Sequence, residues 1–289
     1  MHRKIFNCLY GALLLLSLIA PLLSPPVHAD AASARTTMEN QSNPLVLVTT
    51  SQGNIYVELF PAEAPSNVAN FLALTEGEVE IVDFDNGQIF TPRYYDGMRF
   101  HRVIPELLIQ TGSGYKNVFG SPGETLNDEI NAISLGLDRL PVVLPDGSFN
   151  PILHVSDREN LEENLLIPLY RAMEISSNQQ VQQRQFEINQ RLRSMTIKQA
   201  YENLGYRYTE RYPTRAITRG TVVLSNSGPD TNGSEFFISM GMPDWLNGRH
   251  TVIGQVVEGM EVAELINSTP VETIDQTTSS TLIYSIRRI

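Results

Sequence analysis

The sequence predicts a mainly β fold, a closed barrel of short strands capped by two helices and interrupted by a mostly helical insertion. Short apolar runs with strand character recur at 45–59, 100–110, 221–224, 236–238, 251–256 and 282–286, separated by turn residues. Outside the insertion, helical spacing shows in two places: Val68, Phe71, Leu72 and Thr75, and later Val262, Leu265 and Ile266. Between 131 and 215 the strand pattern stops, and polar segments with helix-start signals replace it.

The first 29 residues read as a targeting segment. His2, Arg3 and Lys4 give a basic start, Leu9 to Leu23 is almost wholly apolar, and Val27-His28-Ala29 supplies a small-residue cleavage site. Cleavage after Ala29, or after Ala34, yields a periplasmic or secreted chain with no stable membrane association. Retention of residues 5–23 as a membrane anchor is the competing reading. Residues 30–44, rich in Ala, Ser, Thr, Asn and Gln, read as a flexible leader. The folded domain is then 45–289, with 131–215 inserted.

Within it, Val46 to Leu59 reads as strand, turn, strand, and Pro61 and Pro65 introduce a helix that Gly77 ends. Asp85-Asn86-Gly87-Gln88, flanked by apolar pairs, predicts an added hairpin. In the insertion, Ser156-Asp157-Arg158-Glu159 and Thr196-Ile197-Lys198-Gln199 have capping-box spacing. So polar a unit holds too little apolar surface to fold alone and is expected to pack on the barrel. It is either a solvated ornament or a clamp that selects protein substrates.

Composition removes several function classes. With 42% hydrophobic and 18% charged residues, the 289-residue chain is neither fibrous nor wholly disordered. Removing residues 1–29 takes two of the 21 Lys and Arg and none of the 32 Asp and Glu, leaving a net charge of −13. Such a surface repels phosphate backbones, so nucleic acid is excluded as a partner. Cys8, the single cysteine, leaves with the targeting segment, so no disulfide or thiolate metal site is expected. The five histidines lack metal-binding spacing, and no G-x-S-x-G elbow accompanies Ser225, Ser227 or His250.

The most informative stretch is Phe100 to Gln110, an apolar run carrying Arg102 and Gln110. An arginine is rarely buried unless its charge is used or satisfied, and its planar fork of donors suits a carbonyl oxygen. Gln110, eight positions on, falls on the same side of an extended segment and is placed to hold the guanidinium. A core strand whose arginine emerges at the edge explains this stretch equally well.

Two further stretches decide between them. Val223-Leu224-Ser225-Asn226 to Glu235-Phe236-Phe237-Ile238, and Trp245-Leu246-Asn247-Gly248-Arg249-His250, follow in an order that resembles the cyclophilin family of peptidyl-prolyl isomerases. The resemblance implies an eight-stranded antiparallel barrel and cofactor-free isomerisation of Xaa-Pro bonds in unfolded or partly folded proteins. By position, Arg102 matches the catalytic arginine, Gln110 the glutamine that orients it and His250 the pocket-edge histidine. Leu107, Leu108, Phe237 and Leu246 match proline-pocket positions, and Asn226 the residue whose backbone pairs with substrate. Trp245 matches the tryptophan associated with cyclosporin-type ligands.

Leu107 stands where the family usually has phenylalanine, Leu108 where it often has methionine, and Glu235, another substrate-site position, where glutamine is usual. A carboxylate reaching Arg102 would compete with substrate for it. A chaperone or assembly module using the same groove with little turnover is therefore the alternative function.

Overall fold

The computed structural model describes residues 30–82, 87–114, 122, 124–269 and 280–289. The targeting segment, the Asp85-Asn86 turn and most of the glycine-rich stretch around Gly120 lie outside these residues.

Residues 30–44, expected as a flexible leader, instead carry helix α1 (Ala31–Thr37), with the Asp30 carboxylate accepting from Ser33 N at 2.8 Å. Composition hides what anchors it. Ala34 and Met38 pack with Leu45 and Tyr56. Beneath them the wholly buried Glu58 carboxylate accepts from Glu39 N, Asn40 N and Asn43 Nδ2 at 2.8–3.0 Å.

Strands β1 (Leu45–Thr50) and β2 (Gly53–Leu59) form the expected hairpin. Helix α2 (Pro65–Glu76) begins at its proline and ends at Gly77, which takes a φ of 77°. The Glu129 carboxylate caps its first turn, accepting from Ser66 N and Asn67 N at 3.0 Å. Strands β3 (Ile81–Val82) and β4 (Ile89–Phe90) pair as the added hairpin, and Ile81 enters the main core.

The stretch carrying Arg102 and Gln110 is a hairpin: β5 (Arg102–Ile104), a turn through Pro105 and Glu106, then β6 (Leu108–Thr111). This corrects the single extended segment read from the sequence. Arg102 and Gln110 share a face because they are direct antiparallel partners, not because they sit an even number apart on one strand. Pro105 suits a turn, and Glu106 at a φ of 61° completes it. Strands β7 (Thr221–Leu224), β8 (Phe236–Ser239), β9 (Val252–Glu258) and β10 (Ile283–Arg288) follow the insertion.

All eight long-range strands pair antiparallel in the order β10-β1-β2-β9-β7-β8-β6-β5. The ladder does not close. It forms a curled half-barrel, and its ends meet through no strand ladder: the segment before β5 makes the isolated bridge Arg99–Leu282, with Phe100 N donating to Thr281 O at 3.1 Å, Gly97 N to Ile283 O at 2.9 Å and Ile283 N to Met98 O at 2.7 Å. The concave face packs Val103, Ile109, Val222, Phe236 and Ile238 with Phe71 of α2 and Ile266 of α8, a helix spanning Met260–Asn267.

The insertion contradicts its reading as apolar-poor. Its short helices α3 (Arg158–Leu161), α4 (Ile167–Ala172), α5 (Asn178–Gln183), α6 (Gln185–Ser194) and α7 (Ile197–Leu204) surround a separate core. Leu137, Val142, Leu165, Leu169, Ile188 and Tyr201 are buried there. Much of that apolar surface comes from the proline-broken stretch before α3 and the tyrosines after it, which helical periodicity does not count. The Thr196 capping box forms with both of its hydrogen bonds, and Gly205 closes α7.

Candidate active site

One row of side chains crosses five strands. Arg102 on β5 is paired with Gln110 on β6, Gln110 with Phe237 on β8, Phe237 with Val223 on β7 and Val223 with Val252 on β9. Directly opposed antiparallel residues point to the same side, so all five share the convex face. Their neighbours Val103, Ile109, Ile238 and Val222 point the other way, into the main core.

At the polar end of the row, Arg102 Nη1 donates to Gln110 Oε1 at 3.2 Å. The Gln110 amide donates in turn to Ser225 Oγ at 3.0 Å and to Glu235 Oε2 at 2.8 Å. Gln110 is buried and Arg102 half-buried. Glu235 thus engages the glutamine, and among the described residues no carboxylate lies within ion-pair distance of Arg102.

At the apolar end, Leu108, Val223, Phe237 and Val252 form a small cluster separate from the main core, with Phe60 and Ile217. Leu107, Leu246 and Ile104 are packed on it, half-buried. Asn267, at the end of α8, pins the turn that carries Leu107. It donates to Ile104 O at 2.9 Å and Leu108 O at 3.2 Å and accepts from Glu106 N at 2.8 Å. The His250 ring stands edge-on to Phe237 with centroids 5.9 Å apart.

His250 is uncharged at neutral pH, because burial pushes its pKa down to about 4. Its Nδ1 lies 3.2 Å from Leu224 O, and a carbonyl only accepts, so Nδ1 carries the proton and Nε2 is bare. Asn226 fixes the neighbouring loop, its side-chain amide donating to Arg249 O at 2.9 Å and Asn232 Oδ1 at 3.2 Å. Under it Asp128 accepts from Asn232 Nδ2 at 3.0 Å and Asp230 N at 2.9 Å, and burial pushes its carboxyl up to about 6.

Sequence reasoning missed Phe60, Ile217, Val223 and Val252 as members of this cluster, since nothing distinguishes them from other core residues along the chain. It also missed the supporting role of Ser225. Trp245 is set differently from the rest. Its ring stacks on His154 of the insertion, with centroids 4.8 Å apart and planes 20° from parallel.

The insertion grips the same loop elsewhere. Tyr208 Oη donates to Gly248 O at 2.9 Å, and the Arg249 guanidinium lies 5.6 Å from the Tyr201 ring centroid. A cavity of about 830 Å³ lies wholly within the insertion, lined by residues such as Arg158, Tyr170 and Arg171, and touches none of the residues above.

The chain is 27% identical over 223 residues to peptidyl-prolyl cis-trans isomerase B of Streptomyces anulatus, covering 76% of this chain and 82% of that one. It is 26% identical over 239 residues to peptidyl-prolyl cis-trans isomerase A of Mycobacterium tuberculosis, covering 82% and 87%. A crystal structure of a Cryptosporidium parvum cyclophilin-type isomerase superposes with a TM-score of 0.48 at 18% identity, covering 86% of this chain and 98% of that one. The family described as cyclophilin type peptidyl-prolyl cis-trans isomerase/CLD matches residues 45–288. With a match over most of its length, the chain belongs to the cyclophilin-type peptidyl-prolyl cis-trans isomerase family.

Proposed function

We propose that this isomerase twists Xaa-Pro bonds of unfolded or partly folded proteins, with the proline ring in the hollow of Leu108, Phe237 and Leu246 and the prolyl carbonyl on Arg102. The observation that carries this is the single convex row in which Gln110 holds the Arg102 guanidinium on one side and is paired with Phe237 on the other, whose ring meets His250.

The chemistry needs no nucleophile. The barrier is loss of amide resonance, and uncatalysed isomerisation takes tens to hundreds of seconds. Millisecond turnover requires an acceleration of about 10⁴- to 10⁵-fold, or about 5.5–7 kcal/mol. One preorganised donor supplies about 2.7–4 kcal/mol. Arg102 therefore accounts for part of it. The remainder comes from an apolar hollow that fixes the ring and fits the twisted amide better than either planar isomer.

A protease-coupled assay on a proline tetrapeptide tests the reading. Arg102→Ala is expected to lower kcat/KM by about 10²- to 10³-fold. Equal rates for the two proteins would remove Arg102 from the mechanism, and client binding that persists without turnover would favour a binding module.

The proposal extends to location: a periplasmic or secreted chain, released by cleavage after Ala29. The basic start and apolar run of residues 2–23 support it. No helix among the described residues is long and apolar enough to cross a membrane. N-terminal sequencing of exported protein beginning upstream of Ala29 would refute that cleavage.

A further inference from the structure

The seam between insertion and barrel holds a groove of about 700 Å³. The barrel lines it with Ala216, Met242 and Trp245, and the insertion with Leu135, Leu140 and Ile152. Two of these apolar side chains are turned to solvent, Met242 at 72% exposure and Leu140 at 38%. Exposed large apolar side chains grouped in one concave surface mark a binding face more often than a structural one.

The groove adjoins the proline hollow along two chain segments. Leu246, packed on the hollow, lies between Trp245 and Asn247, which both line the groove. Ile217, in the hollow, follows Ala216, in the groove. Asn247 Oδ1 accepts from Ile217 N at 2.8 Å, tying the two segments together where hollow and groove meet. A chain whose proline fills the first therefore has the second within reach of its flanking residues.

We infer that this groove takes the segment of the client polypeptide that flanks the prolyl bond, bound extended through apolar side chains. The inference rests on the isomerase reading above and adds to it a substrate class: unfolded segments with apolar residues beside the proline. It also gives the insertion a task, since the insertion contributes one wall.

Trp245 is the only tryptophan in the chain, so its fluorescence reports on the groove directly. Full-length protein would be titrated with two probes, Ala-Ala-Pro-Phe and a longer peptide with the same Ala-Pro centre and leucine or phenylalanine on both sides. The longer peptide is expected to bind about tenfold more tightly. Met242→Glu and Leu140→Glu, both at solvent-exposed positions, are expected to abolish that advantage while leaving turnover of the short peptide unchanged.

Equal binding of the two peptides, or an advantage that survives both substitutions, would overturn the inference. Loss of self-association in Met242→Glu, with peptide binding unaltered, would also overturn it, because the occupant would then be a second copy. Failure of the isomerase reading looks different: wild type would not turn over the short peptide, whereas the binding ratio reads the groove whether or not turnover occurs.

Discussion

Lowering the pH from 7 to 4 is predicted to act on two titratable groups, His250 and Asp128, with opposite signs. His250 is pushed down from 6.5 to about 4 by burial, against the pull of the Leu224 carbonyl and with a smaller contribution from the Arg249 charge. Asp128 is pushed up from 3.8 to about 6 by burial, against hydrogen bonds from Asp230 N and Asn232. For His250 the unfolded chain takes the proton first as pH falls. Its contribution is whole above pH 6.5 and is lost towards pH 4. For Asp128 the folded chain takes the proton first, so its contribution is whole below pH 3.8 and is lost as the pH rises through 6.

Each shift corresponds to about 3 kcal/mol, and across pH 4 to 6 the two slopes nearly cancel. Urea denaturation over a pH series separates them. The stability of wild type minus that of His250→Gln is expected to rise by about 3 kcal/mol from pH 4 to 7, and wild type minus Asp128→Asn to fall by a similar amount. A difference for His250→Gln that stays flat, or a His250 ring titrating near pH 6.5 in NMR spectra, would refute the reasoning and with it a neutral His250 at the site.

Other substitutions read other contacts. Gln110→Leu removes the acceptor that holds Arg102 and is expected to lower kcat by about tenfold with KM little changed, whereas Glu235→Gln, which still offers Gln110 an acceptor, is expected to stay within about threefold. Gly248→Ala forces a side chain into a φ of 80° and against Leu137 Cδ1, so a loss of about 2–4 kcal/mol is expected in thermal unfolding, with weaker peptide binding as the site loop shifts. Glu58→Leu strands the three donors of the N-terminal arm. It is expected to cost about 2–4 kcal/mol and to open residues 30–43 to limited proteolysis.

What the sequence made legible was local. The start of α2 at Pro65, its end at Gly77 and the Thr196 box are each settled within a few residues, and the motifs named Arg102, Gln110 and Phe237 of the row. What it hid was long-range. Glu58 reads as an ordinary alternating strand residue until the arm folds back on it. The Asp128 network joins positions about a hundred residues apart, and no spacing rule reaches that far. The stack of Trp245 on His154 depends on where the insertion docks, which periodicity does not encode. Closure failed for a related reason: recurrent short strands count the members of a sheet but do not say whether its first and last meet.

Glu235 shows how a residue type misleads without its geometry. Read along the chain, a carboxylate near Arg102 threatens to quench it. In the fold, the carboxylate is spent one residue further back. A carboxylate only accepts, so the side of the Gln110 amide facing it must be the NH2 group, and the oxygen is left facing Arg102. A neutral glutamine at 235, able to donate or accept, would leave that orientation to Arg102 alone. Because Arg102 gives Gln110 one hydrogen bond, from Nη1, and no other side-chain bond among the described residues, the rest of its fork is left for the substrate carbonyl proposed above. The departure from the family pattern thus steadies the donor's partner, and any change in catalysis should follow the geometry of Gln110 rather than the charge at 235.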